Sequence, residues 1–234
     1  MEINKKEFCE FLRSMGINHL YHANTVQTSC TFIDAGGLLS RGAVEAYNLI
    51  QTFQSSDNID KKYNVWNDIF LDSYDLHNLF KRRNYYGPVS FKFNIDILND
   101  ERLPKLWITK DNPIYWRANQ KNHERYFKNI LELKQNYSEE VWKKMITLRD
   151  TFEPLSFNPY LEQIILDNPL VRIGDIRLFK EAKVALINAL ERNNMDTSIL
   201  VTRKCKFNCS CRINYLEQVR TQELKKLFLL KDKY

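Results

Sequence analysis

His22, Arg41 and Glu162 are the side chains whose types and settings best suit chemistry. Imidazole titrates near neutrality and can orient a hydroxyl or relay a proton, and His22 closes the short run His19-Leu20-Tyr21-His22. Arg41 follows the Gly36-Gly37-Leu38-Leu39-Ser40 turn, where a guanidinium can meet phosphate in a forked, two-point geometry. Glu162 comes just after Pro159 and opens the apolar stretch Leu161 to Leu166, so its carboxylate can emerge at a pocket mouth while Gln163 faces the other way. Tyr63 and Trp66 offer flat faces on which a planar group can stack. Each also has an ordinary role open to it: a packed histidine or tryptophan, a surface arginine, a solvated glutamate at a strand end.

No Walker-type or dinucleotide-fold glycine loop, no HExxH and no GxSxG occurs, so nucleotide chemistry here needs another scaffold. The five cysteines are an odd number, and three crowd into Cys205-Lys206-Phe207-Asn208-Cys209-Ser210-Cys211, which argues for a reducing cytoplasm rather than a disulfide framework. Three thiols fall one short of the usual zinc set, with Cys30 or a histidine as a hypothetical fourth ligand, so no metal is expected. Residues 201–234 hold nine Lys or Arg against three acids, which accounts for the whole formal charge of +6. Arg203, Lys204, Lys206 and Arg212 around Phe207, with Tyr215 nearby, suit a phosphate backbone with rings stacking on bases, although a solvated helix face explains the same pattern. No apolar run approaches the roughly 18 residues of a membrane span, and the N-terminal MEINKKEFCE lacks an apolar centre. The expectation is a cytoplasmic protein without a membrane partner.

With 234 residues and 44% hydrophobic content, one domain spanning 1–234 with a basic C-terminal segment is expected. Helices are expected over 4–15 and from Val26 past Ile33, with a strand at His19–His22 between them. Residues 40–66 read as a long polar loop. Strands are expected at Ile69–Leu71, Val89–Ile95, Leu106–Thr109, Leu161–Leu166, Arg172–Phe179 and Ser198–Thr202. Helices are expected at Ser73–Phe80, as an inserted pair over 117–136 and from Ser138, at 180–192 and from about 214. This irregular mixture indicates an α+β fold.

Taken in order, several of these features resemble an ADP-ribosyltransferase: Tyr21-His22, a helix ending in Gly-Gly-Leu-Leu-Ser-Arg, a polar loop, Ile69-Phe70-Leu71-Asp72 followed by Ser73-Tyr74-Asp75-Leu76-His77, and a late strand with Glu162. Within that superfamily, LYHANTVQTSCTFIDAGGLLSR (residues 20–41) is most similar to the DarT group of toxins that modify nucleic-acid bases. It also resembles the related mRNA-modifying CmdT group. The resemblance implies a split mixed β-sheet with flanking and inserted helices. NAD would be consumed as co-substrate without a metal, the acceptor would be a base in single-stranded DNA or mRNA, and an antitoxin would be a partner. It places His22 against the NAD ribose beside Tyr21, Arg41 on the pyrophosphate, and Tyr63 and Trp66 along the nicotinamide wall. Phe70, Tyr74 and His77 compete for the aromatic or hydroxyl position of the nicotinamide pocket. Glu162 would bond the nicotinamide-ribose 2′-hydroxyl, stabilise the oxocarbenium-like state and accept the proton of the nucleophile. Two rival activities keep the fold: transfer to protein or small molecules, and NAD-dependent removal of a 2′-phosphate from RNA. A nucleic-acid-binding module with an inactive pocket is a third reading, which nicotinamide release separates from the others.

Overall fold

Capping chemistry sets the opening elements. The Asn4 side chain accepts from the Glu7 amide and starts α1 (Lys5–Ser14), which ends before Gly16 at a φ of +77°. β1 (His19–Asn24) follows, and Thr25 caps α2 (Val26–Asp34) through the Thr28 amide. The computed structural model describes residues 1–103, 105–204 and 209–233. Beyond α2 come β2 (Gly37–Leu38), α3 (Arg41–Ala46), α4 (Asp57–Lys62), β3 (Ile69–Leu71), α5 (Leu76–Phe80) and β4 (Val89–Asn94). β5 (Leu106–Ile108), α6 (Asn122–Arg125), α7 (Ile130–Asn136), β6 (Ile146–Leu148), β7 (Leu155–Ser156) and β8 (Leu161–Asn168) form the middle. The chain then runs through β9 (Arg172–Ile173), β10 (Ile176–Arg177), α8 (Leu178–Arg192), β11 (Leu200–Lys204), α9 (Cys211–Gln218) and α10 (Thr221–Phe228).

Two sheets meet at β1. The larger has the order β1-β4-β8-β11, antiparallel except for the parallel β8/β11 pair, and the smaller is antiparallel β3-β6-β5. Reciprocal backbone bonds of 2.8 Å between Tyr21 and Asp72 join them. This is the α+β fold that the sequence indicates, with the split mixed sheet and flanking helices that the resemblance implies.

Register assigns opposite characters to the faces of the larger sheet, because directly paired residues share a face. His22 pairs with Phe91 and Phe91 with Ile164, and α2 and α8 cover this side, with Phe32 against both His22 and Phe91. Tyr21 pairs with Lys92, placing Tyr21, Lys92 and their neighbours on the other side. A bulge between Lys92 and Phe93 disturbs β8 at Glu162: Gln163 lies opposite Lys92, yet Glu162 also reaches the Lys92 ammonium. Simple alternation of Glu162 and Gln163 is therefore lost.

Several expected elements are corrected. The stretch 40–66 holds α3 and α4, each six residues and too short for a visible period, with Ser40 capping α3 through the Ala43 amide. The inserted helical pair is absent. Residues 117–136 form only the short α6 and α7, with Leu131 69% exposed, and Val141–Lys143 is a single 3₁₀ turn before β6. Ile146-Thr147-Leu148 is fully buried and fills the centre of the smaller sheet, a place that suits β-branched residues better than a helix face. Arg172–Phe179 is a two-residue hairpin turning at Gly174 and running into α8.

Gly87 holds the entry to β4 against β1 at a φ of +149°, and a Cβ there would overlap the Asn24 carbonyl. Gly87→Ala is expected to lower stability by about 1–3 kcal/mol, a strain-sized cost, read as a lower urea midpoint at unchanged m-value. An unchanged midpoint would show that this approach can relax freely.

Candidate active site

The junction of the two sheets encloses a pocket lined by His22 and Asn24 from β1, Arg41 from α3, Trp66, and Phe70 and Asp72 at β3. His22 Nδ1–H donates to the Phe70 carbonyl at 2.8 Å, which fixes Nε2 as an acceptor. Burial, opposed by that bond and reinforced by Arg41, lowers the His22 pKa and keeps the ring neutral. Asn24 lies on the same face, with Nδ2 3.4 Å from His22 Nε2 and Oδ1 accepting from Thr25 N and Gln54 Nε2. The ring is thus held as a hydrogen-bond acceptor.

Arg41 is anchored from behind: Nη2 donates to Asp57 Oδ2 at 2.7 Å and to Thr52 O at 3.0 Å, and Nε lies 2.6 Å from Asp57 Oδ1. Its Nη1 is buried without a hydrogen-bond partner among the described residues. An unmatched guanidinium N–H in a pocket wall is costly unless a ligand supplies the acceptor, and phosphate oxygen is a good one. Its carbon lies 5.4 Å from the Trp66 ring centre, a contact that holds both in place.

Three acids line the same pocket: Asp60, Asp68 and Asp72. Burial pushes Asp68 up to about 7 against the pull of Arg149, while the Asp150 amide bonds its Oδ1. Asp60 is raised to about 6 by burial against a Ser56 hydrogen bond. Asp72 differs, because its carboxyl has no hydrogen-bond or ion-pair partner among the described residues. Burial, then the like charge of Asp75, raises it to about 7.

Other expected site residues lie elsewhere. Glu162 is on the opposite face of the sheet from His22, bonded to Asn94 Nδ2 at 3.0 Å and lying 3.1 Å from both Lys92 Nζ and His19 Nε2. Partial burial raises its pKa, but the Lys92 and Asn94 bonds and His19 outweigh that, so the net shift is downward. Tyr21 faces the same way as this cluster. Tyr63 packs on Trp116 and donates its hydroxyl to the Trp116 carbonyl at 2.6 Å, and Tyr74 packs against the main core. His77 is buried beside Asp167 and Cys209. The structure therefore gathers His22, Arg41, Trp66 and Phe70, and leaves Tyr21, Tyr63, Tyr74, His77 and Glu162 outside the pocket.

The basic cluster also separates. Arg203 is partly buried in a two-point pair with Asp75 at 2.7 and 3.1 Å, so its charge is matched within the protein. Tyr215 is fully buried, with its hydroxyl donating to Asp167. Lys204 and Arg212 are exposed, and Lys206 and Phe207 lie outside the described residues.

No family model and no curated protein matches the chain. Among solved structures it is similar to "Thermus sp. 2.9 DarT in complex with ADP-ribosylated ssDNA", with a TM-score of 0.51 at 11% identity, covering 81% of this chain and 95% of that one. The chain has the DarT fold. The pocket also holds three residues to which the sequence gave no site role, Asn24, Gln54 and Asp72, the last of which reads there as an acid at the start of a helix. Asn24 carried a signal, standing two residues after His22 in a strand and so on its face. Asp72 had a weaker one, standing two residues after Phe70, and Gln54 had none because it comes from the polar stretch 40–66.

Proposed function

We propose that the chain is an NAD-dependent ADP-ribosyltransferase acting on bases of single-stranded DNA or mRNA, a cytoplasmic toxin restrained by an antitoxin. What supports the reading most is the convergence of His22, Arg41, Trp66 and Phe70 on one pocket of a DarT fold, with a buried Arg41 N–H left for an acceptor. Arg41 binds the pyrophosphate, neutral His22 accepts from a ribose hydroxyl, and Trp66 and Phe70 flank the nicotinamide half. The glycosidic C–N bond breaks, nicotinamide leaves with its electron pair, and a base heteroatom bonds to the ribose carbon. Asp72 stabilises the cationic ribose and receives the proton that the nucleophile releases. A second reading gives this work to Glu162, favoured by its cluster with Lys92, His19 and Asn94 and by the family resemblance.

The acceptor lies along a groove that shares Gln54, Ser56, Tyr86 and Asn112 with the pocket. Phe53, Tyr85 and Tyr115 are 64%, 59% and 61% exposed there. Arg82 lies 4.3 Å and Arg83 4.7 Å from the Tyr85 ring centre. Rings for stacking beside cations for phosphate are what a single strand needs.

His22→Ala is expected to raise KM for NAD about tenfold or more with a smaller change in kcat, because the ring positions rather than reacts. Unchanged KM and turnover would return His22 to a packing role. The test of the reading itself is nicotinamide release in the presence of single-stranded DNA or RNA.

A further inference from the structure

One ring nitrogen of His77 and the sulfurs of Cys209 and Cys211 lie within 4.8 Å of one another, and none of the three residues lines the pocket. The three come from distant points of the chain: His77 from α5, Cys209 from the segment before α9, and Cys211 from the first residue of α9. Thiolate and imidazole together select zinc among the common biological cations. The His77 Nε2 to Cys209 Sγ distance is 3.4 Å, close to the roughly 3.6 Å across a tetrahedral ion with bonds of about 2.05 and 2.3 Å.

The surroundings of His77 are those of a metal-ligating imidazole. Its Nδ1–H donates to Asp167 Oδ2 at 2.9 Å, which turns the Nε2 lone pair toward the thiols. Asp167 is itself fixed, accepting from the Tyr215 hydroxyl at 3.3 Å and lying 3.5 Å from Arg203 Nε. A ligand, an orienting carboxylate and two groups holding that carboxylate form a layered arrangement that packing alone does not require.

We propose that His77, Cys209 and Cys211 supply three ligands of a tetrahedral zinc ion whose fourth position is taken by solvent, and that the ion fastens the start of α9 to α5 and, through Asp167, to β8. The site is structural and stands apart from the NAD pocket, so it does not depend on the activity proposed above. It gives Cys209 and Cys211 a role that three thiols read along the sequence did not supply. Cys205, the remaining thiol of that run, lies outside the described residues.

The test is metal analysis of the full chain purified under reducing conditions, with cobalt substitution. About one zinc per chain is expected, and the cobalt form should show thiolate-to-metal charge transfer together with the intense visible bands of tetrahedral coordination. Cys209→Ser and Cys211→Ser should lose stoichiometric metal and the charge-transfer band, while Cys30→Ala keeps both. Asp167→Asn should weaken zinc affinity about 10–100-fold, the scale for losing an orienting partner. Chelation should lower the melting temperature of the parent protein and leave that of folded Cys209→Ser unchanged. A reduced parent chain that holds no zinc and gives no thiolate band with added cobalt would overturn the proposal. So would a band that survives in both serine variants. Because cobalt is read on the parent protein, failure of a variant to fold leaves the proposal open to refutation.

Discussion

Asp72→Asn is expected to lower ADP-ribose transfer by at least about 10²-fold while NAD still binds, the scale for losing a proton acceptor or a transition-state contact. The carboxyl is buried in the pocket wall, has no partner among the described residues, and sits two residues from the Phe70 carbonyl that fixes His22. The same variant should be more stable than the parent at pH 8. Burial and Asp75 raise this acid to about 7 in the fold, against about 3.9 in an unfolded chain. The folded protein therefore binds the proton more tightly, and the stability this provides is present below about pH 4 and lost as pH rises toward 7. Asparagine removes that loss, worth on the order of 2–4 kcal/mol at 1.36 kcal/mol per pH unit. Parent activity should rise with pH through the same window as the carboxylate ionises. Glu162→Gln is the control, expected to stay within about threefold of the parent because its carboxylate is held on the far face by Lys92, His19 and Asn94. The reverse pattern, an active Asp72→Asn and an inactive folded Glu162→Gln, would give the reaction to Glu162.

Replacing Arg82 and Arg83 with Gln and Tyr85 with Ala should separate the grip on nucleic acid from the chemistry. Losing two phosphate contacts should flatten the dependence of log affinity on log salt by about 1.4, and losing one stacked base should cost about 1–3 kcal/mol of binding. Acceptor-free nicotinamide release should survive, since none of the three side chains lines the His22 pocket. Neutralising the exposed Lys204 and Arg212 should have a smaller effect, because Arg203, one of the four cations of that cluster, is already paired with Asp75. A salt series with unchanged affinity and slope for the groove variant would show that the exposed rings and arginines are not the acceptor path.

What the sequence made legible follows from the length scale of each signal. α1, β1, α2, β4 and β8 repeat a period over five or more residues or carry a cap at one end, and each lies within a few residues of its expected place. α3 and α4 are single-turn elements inside polar sequence, and the spacing of Val141, Met145 and Ile146 imitates a helix while the chain makes a 3₁₀ turn and a strand. The candidate pocket was legible in part, since His22 and Arg41, singled out on either side of α2, both line it. It was illegible where register decides. One bulged residue in β8 changes which face Glu162 serves, and no residue type announces the bulge. The pairing of His77 with two cysteines more than 130 positions away is likewise a product of topology, since β8, α5 and α9 meet only once the sheet is assembled.

The proposed activity is transfer of ADP-ribose from NAD onto an unpaired base. Incubating the purified chain with NAD labelled in its adenylate half, together with single-stranded DNA, single-stranded RNA and a bystander protein mixture, tests it in one step. Label in one nucleic-acid fraction, equimolar nicotinamide release, and loss of both in Asp72→Asn are expected. Label confined to protein, or no nicotinamide release with any acceptor, would contradict the proposed activity.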